Sequence, residues 1–268
     1  MNGGGAMRIR TWWGIASLLL STGGVCTAAA AAPQFTIGNS PSFYQGSFGT
    51  GSTMDIFYDP TYFQYKNRGL RVKLTIPYIS VSGLPQGTLL TPGGVARRTS
   101  GQQTTSASGL GDIWLAAHYT VYRGRSLVPT IRPYAKIKFG TASYSKGLGT
   151  GRNDYEFGVG VQDTVGTRIF PFAHLGYRFV GKRAGLNLQN IWTYDVGATY
   201  SVDTRNFLTA MFVGSGSEEP GYAGPADVVF AWNYNVTPAG SGFQAFVDKG
   251  MTNGSPNYGI GISGQVVF

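Results

Sequence analysis

The chain has 268 residues, of which only 12% are charged, 14% are aromatic and 41 are glycine. Charge is about half the ~25% usual in soluble domains, and glycine is about twice the ~7% average. A mean hydropathy of −0.05 does not fit a bundle of membrane helices. The net charge of +9 is dispersed; Arg97-Arg98 and Lys182-Arg183 are only doublets, so nucleic acid is not an expected partner.

Residues 1–32 read as a secretory signal. Arg8 and Arg10 form its positive start, residues 12–20 its apolar stretch, and the alanine run 28–32 a cleavage site. Met7 is an alternative start. The one cysteine, Cys26, falls inside this segment, so the domain expected over 33–268 carries no disulfide framework and no cysteine site. Val25 is too bulky for the small residue that a lipid-modified Cys26 would need before it. No later segment offers the ~20 apolar residues of a membrane helix.

From Phe35 onward the chain alternates apolar and polar residues in runs set apart by Gly, Pro, Asn and Ser. Leu70, Val72, Leu74, Ile76 and Tyr78 oppose Arg71, Lys73 and Thr75. Ile113, Leu115 and Ala117 oppose Asp112, Trp114 and His118. Ile131, Pro133, Ala135, Ile137 and Phe139 oppose Arg132, Tyr134, Lys136 and Lys138. Tyr155, Phe157, Val159 and Val161 oppose Asp154, Glu156 and Gln162. Strand side chains alternate between faces, so each run has one greasy and one wet side.

A soluble sandwich would show the same alternation. Three features favour a membrane. The runs exceed the ~5–6 residues usual in soluble sheets and suit the ~9–11 of a tilted membrane strand. Aromatics recur near run ends, as at Trp114, Tyr119, Trp192, Tyr200, Trp232 and Tyr258. The chain also stops on an alternating strand ending in Phe268. Short connections (67–69, 123–125, 166–167, 203–205, 238–241) alternate with longer ones (46–51, 83–108, 142–151, 182–187, 217–224, 252–255). The fold class expected is all-β: an antiparallel up-and-down transmembrane barrel of about 12 strands, with short turns in the periplasm and long loops outside.

Phe48-Gly49-Thr50, Asp55-Ile56-Phe57-Tyr58 and Leu74-Thr75-Ile76-Pro77-Tyr78 resemble the start of a family of outer-membrane transporters labelled by the meta pathway of phenol degradation. Residues 108–113, then 136–141, 147–151 with Asp154-Tyr155, Gly176-Tyr177 and 254–268 are similar to its later motifs. The resemblance spans nearly the whole of 33–268. It implies a barrel in the cell outer membrane that admits small organic molecules, aromatic ones among them, and it brings no catalytic residues. Resemblance to outer-membrane barrels generally implies that Phe268 is recognised by the barrel assembly machinery. Lipid is the other expected partner.

Residues 147–151 mimic a phosphate loop, but they lack its spacing and a following helix. His118 and His174 have no carboxylate nearby in sequence, so no metal and no cofactor are expected. His118 with Thr120 is the nearest approach to a hydrolase constellation, without a clear acidic partner. The wet face is assigned Asp55, Asp59, Arg71, Lys73, Asp112, Arg132, Lys136, Lys138, Arg152, Asp154, Glu156, Arg178 and Asp195, with His118 and His174 on it too. In an antiparallel hairpin opposing indices have a constant sum. Asp112 is therefore expected to oppose Lys136, Lys136 to oppose Glu156, Lys138 to oppose Asp154, and Glu156 to oppose Arg178. This charge ladder either braces the barrel or selects solutes. The expected function is a channel or facilitator with a narrow charged lumen, gated or lined by loop 83–108. A closed structural or adhesive barrel and an outer-membrane hydrolase are the alternatives.

Overall fold

The computed structural model describes residues 32–97, 103–124 and 128–268. The expected export signal, Ala32 apart, lies outside the described residues. No α-helix occurs among them. The strands are β1 (Gln34–Asn39), β2 (Ser42–Gly46), β3 (Met54–Asn67), β4 (Leu70–Pro85), β5 (Thr88–Thr91), β6 (Gly94–Arg97), β7 (Thr104–Leu110), β8 (Ile113–Tyr119), β9 (Thr130–Phe139), β10 (Asp154–Gln162), β11 (Ile169–Phe179), β12 (Ile191–Ser201), β13 (Asn206–Ser215), β14 (Ala226–Asn235), β15 (Gly242–Gly250) and β16 (Tyr258–Val267).

Fourteen of these form one antiparallel sheet that closes on itself. Strand β16 pairs with β1 and β2, which pair with β3 on their other edge. β1 and β2 are halves of one stave, broken at Ser40-Pro41, where proline has no N–H to give. β7 and β8 are likewise halves of one stave beside β4. Their break, at Gly111-Asp112, faces Pro77. Gly111 N–H donates to the Pro77 carbonyl at 2.9 Å, and Pro77 has nothing to return. A Cβ on Gly111 would meet the Pro77 ring at 2.9 Å. Counting each broken pair once, the barrel has twelve staves.

The expected loop 83–108 is largely not a loop. β4 runs on to Pro85, β7 begins at Thr104, and β5 and β6 pair as a separate hairpin between them.

The outer surface carries the apolar half of each alternation. Ile37, Phe157, Leu175, Val196, Phe230, Val247 and Ile262 are all exposed on the bare chain, and hydrocarbon covers such a band in a membrane barrel. Rings cluster at both rims: Tyr177 packs on Phe179 and Trp192 at the long-loop end, and Trp232, Tyr234 and Phe243 pack together at the short-turn end. The chain end joins the short-turn rim, where Phe268 and Phe35 exchange both backbone hydrogen bonds.

Two assigned lumen charges belong outside. Met54, Ile56, Tyr58 and Tyr62 of β3 are buried inward, and Phe57 and Phe63 are exposed. The same alternation turns Asp55 and Asp59 outward. Asp59 accepts from Asn39 Nδ2 and Asp55 from Gln45 Nε2, each at 2.7 Å. These amide donors on the neighbouring stave satisfy the carboxylates against an apolar surround. Arg152 is also not in the lumen; it sits exposed in the connection before β10.

Ile137 stands in register between Leu115 and Tyr155 on the outer face. An Ile137→Arg change places a cation against hydrocarbon and lowers stability by ~2–4 kcal/mol if the site is near the midplane. Arg132→Ile, on the inner face, costs less. Urea titration of folding into lipid vesicles checks the ranking, and the reverse order would overturn the face assignment.

Candidate functional site: the barrel lumen

Two clusters of fixed charge line the lumen wall from β8 to β12. Lys138, fully buried, bridges Asp112 at 3.0 Å and Asp154 at 2.8 Å. Lys136 pairs with Glu156 at 2.5 Å. Arg178 donates from Nε and Nη2 to the other Glu156 oxygen at 3.0 and 2.8 Å, and from Nη1 to Glu218 at 3.3 Å. Its guanidinium lies over the Trp114 ring, 5.3 Å from the centroid. The strands set these positions through cross-strand register: Lys136 with Glu156, Lys138 with Asp154, Glu156 with Arg178.

Asp112 departs from the expected register. Lys138 stands opposite Trp114, and Lys136 opposite Ala116. The β8–β9 connection is longer than the expected three-residue turn, with Tyr122 bridging to Ile131. β9 is thereby displaced four residues along β8, which keeps every face, and the Asp112 carboxylate pairs with Lys138 instead of Lys136.

The remaining predicted residues stand as follows. His174 Nδ1 meets Asp195 at 2.6 Å. His118 is buried beside the Tyr134 ring at 5.3 Å. Thr120, the hydroxyl weighed as a partner for His118, accepts instead from Arg132 Nε at 3.1 Å; Arg132 also donates to Gln162 at 2.6 Å. Arg71 and Lys73 are buried on the inner face of β4, Lys73 over the Tyr62 ring at 4.1 Å. Glycines make room for these rings. A Cβ on Gly158 or Gly176 would run into Tyr134, and one on Gly38 into Tyr62.

Sequence reasoning missed several groups. Glu218 comes from the β13–β14 loop, where no alternation marks it. Burial and the neighbouring Asp154 raise its pKa, against the pull of Arg178 and Lys138. Lys66, Asp227 and Asp248 sit on inner faces of β3, β14 and β15, and alternation alone could have found them. Near the long loops the wall of β2–β4 and β13–β14 is apolar at Met54, Ile56, Ile79, Val81, Val213 and Val229, with Asp227 opposite Val213 and Asp248 opposite Val229.

The β5–β6 hairpin lies across the long-loop mouth. Leu90 and Val95 pack into that apolar wall, while Leu89 and Ala96 pack on Val180, Leu188 and Ile191. Leu90 N–H donates to Gly147 at 2.9 Å. Arg97 is the clamp: its N–H donates to Glu219, its Nη2 to the Thr50 carbonyl at 2.8 Å, and its guanidinium covers Tyr222. Beneath the hairpin a small cavity is lined by Tyr58, Ile79, Leu90, Trp114 and Leu148, with Asp112 at its edge.

Arg178 serves two buried carboxylates and Lys136 one that keeps a second cation. Arg178→Met is therefore expected to destabilise the barrel more than Lys136→Met, for which removal of one partner of a buried pair costs ~3–5 kcal/mol at most. Adding Glu156→Gln to Lys136→Met should recover part of the loss. Urea midpoints of the three variants test this, and equal midpoints for Arg178→Met and wild type would remove the ladder's bracing role.

No curated relative matches the sequence. Among solved structures, the COG4313 outer membrane channel from Pseudomonas putida F1 is similar at TM-score 0.68 and 13% identity, over 93% of this chain and all of that one. The NanC porin is similar at TM-score 0.54 and 13% identity, over 86% of this chain and 100% of that one. The translocator domain of autotransporter NalP from Neisseria meningitidis follows at 0.52 and 10% identity, over 90% and 88%. At such identities these likenesses speak for the barrel fold alone. The family model described as "Putative MetA-pathway of phenol degradation" matches residues 38–266, and the chain belongs to that family.

Proposed function

We propose that the protein is an outer-membrane channel passing small organic molecules, closed at rest by its β5–β6 hairpin. The observation that carries this is how the mouth is sealed. The hairpin pairs only with itself among the strands, and it is held by apolar contacts, one backbone bond and the Arg97 clamp. A purely structural barrel needs no such separable element. The lumen beneath carries an apolar cluster as well as fixed charges, which suits solutes with both a hydrocarbon body and a polar group. The similar COG4313 barrel is described as an outer membrane channel, which agrees with this reading. An export signal over 1–32 and recognition of Phe268 by the assembly machinery complete it; Phe268 is 70% exposed at the barrel's closing edge and therefore accessible.

Deleting residues 88–97 should raise the permeability of reconstituted liposomes to small solutes several-fold, and Arg97→Ala should give an intermediate increase. Liposome swelling and single-channel conductance measure it, with heat-modifiable migration confirming a folded barrel. A folded deletion variant that stays impermeable would favour a closed structural barrel.

A further inference from the structure

The Lys182-Arg183 doublet takes no part in the lumen. It lies in the β11–β12 connection at the long-loop rim, and the fold brings it against the β9–β10 connection. A Cβ on Gly181 would stand 2.8 Å from Arg152 Cβ, and one on Gly151 would stand 3.2 Å from Arg183 Nη1. Arg152, Lys182 and Arg183 thus meet from two loops in one patch, with Lys146 farther along the β9–β10 connection. Lys146, Arg152 and Lys182 are exposed, and Arg183 is half-buried.

None of the four forms an ion pair among the described residues. Their partners are neutral. Lys146 Nζ donates to the Ser108 carbonyl at 3.1 Å, Lys182 Nζ to that of Leu188 at 2.6 Å, and Arg183 Nη1 to that of Thr150 at 3.1 Å. The Arg183 guanidinium covers the Tyr144 ring, 3.4 Å from its centroid. Carbonyls and a ring orient a cation without cancelling its charge. The carboxylates of this half of the barrel are committed elsewhere. Asp112, Asp154, Glu156 and Glu218 serve the ladder. Glu219 accepts from Arg97 and Asp55 from Gln45, and Asp227 and Asp248 are buried on β14 and β15. The terminal carboxylate, on Phe268, lies at the opposite rim beside Phe35.

The height of the patch decides what it faces. Tyr155 stands opposite Phe179, and Tyr177 opposite Trp192; Tyr155, Phe179 and Trp192 are exposed on the outer face. Such rings mark the membrane–water interface. Arg152 lies three residues before Tyr155, and Lys182 three after Phe179, so the basic groups stand just beyond the ring belt, at headgroup level. Long loops of bacterial barrels face the cell exterior, where the leaflet is built on a phosphorylated glycolipid.

We infer that this patch docks the phosphate groups of the outer-leaflet glycolipid, lipid A. Arg152 and Arg183 offer planar donor forks that match phosphate, and Lys146 and Lys182 add point charge. The inference rests on the outer-membrane location and is independent of the channel reading.

Bisphosphorylated lipid A is the probe, titrated into the detergent-solubilised full barrel and read by native mass spectrometry and fluorescence. Saturable binding that weakens with salt is expected, and lipid A stripped of its phosphates should bind about tenfold more weakly or worse. A basic side chain beside an anionic lipid surface is worth about a fivefold factor. Arg152→Gln and Lys182→Gln should each weaken binding by about that factor, and the double variant by the product. Lys182→Arg should retain it. Arg168→Gln, the same loss of charge at the short-turn rim, should leave it unchanged. Heat-modifiable migration confirms that each variant is folded, and the comparison of the two lipids on the wild-type barrel needs no variant. Equal binding of phosphate-free lipid A would reduce the contact to an apolar one and overturn the inference, as would folded variants that bind like wild type. Displacement of lipid A by inorganic phosphate would assign the patch to a soluble anion, and equal affinity for phosphatidylglycerol would assign it to any anionic lipid; either result overturns the inference.

Discussion

A backbone crossing hydrocarbon finds no water to bond, so every stave must be paired on both edges, and the β1/β2–β16 seam is where this chain meets that demand. The seam is also where the ladder is weakest, because Ser40-Pro41 interrupts the stave. Its neighbours bridge the gap: Ser40 N–H donates to the Pro60 carbonyl at 3.2 Å, and Ile262 N–H to the Pro41 carbonyl at 3.1 Å. The outward Asn39–Asp59 bond lies beside the same break. A polar pair on a lipid-facing wall is thus local compensation for a local defect. The second interruption, at Gly111-Asp112, frees Asp112 from regular pairing, and its side chain accepts instead from Ala142 N–H and Lys138.

Closure fixes what happens inside. Once alternate residues must face lipid, the others are confined to a narrow interior where charge is poorly hydrated. Isolated ions there are costly, and paired ones are tolerated only when most lone pairs are engaged. The ladder meets this condition: Glu156 accepts from one lysine and twice from one arginine, and Asp154 takes both Lys138 and the Gly181 N–H. Flat rings over glycine fill the space between charges, so the high glycine content follows from lumen packing as much as from turns.

The barrel, its stave number and most faces were legible in the sequence because strand alternation has a rigid period of two and lipid permits no exceptions over long runs. The Lys136–Glu156 and Lys138–Asp154 positions were legible for the same reason, their connection being bounded by clear glycines. Asp55 and Asp59 face outward although charge points to the lumen, because Tyr58 and Tyr62 of the same strand carry the inward parity. Asp112 was misassigned by a turn whose length the sequence does not mark. The hairpin was hidden inside a Gly/Thr-rich stretch, although Pro92-Gly93 between Leu89-Leu90 and Val95-Ala96 is a turn signal flanked by apolar pairs. Glu218 was illegible in principle, since only tertiary folding brings its loop to Arg178.

Hairpin and ladder are not independent. Gly93 lies so close to Glu218 that a Cβ there would stand 2.6 Å from its Cγ, and Glu218 is fully buried on the Arg178 side of that contact. The hairpin therefore imposes part of the dehydration of the last ladder carboxylate. Displacing it would expose Leu89, Leu90 and Val95, each worth ~1.5–3 kcal/mol of burial, and would return water to Glu218, one of whose oxygens accepts no hydrogen bond in the closed form. The two effects oppose each other. On the proposed channel reading, apolar burial holds the mouth shut and the half-satisfied carboxylate beneath it lowers the cost of opening, the ladder acting on the seal from below and the Arg97 clamp from the rim.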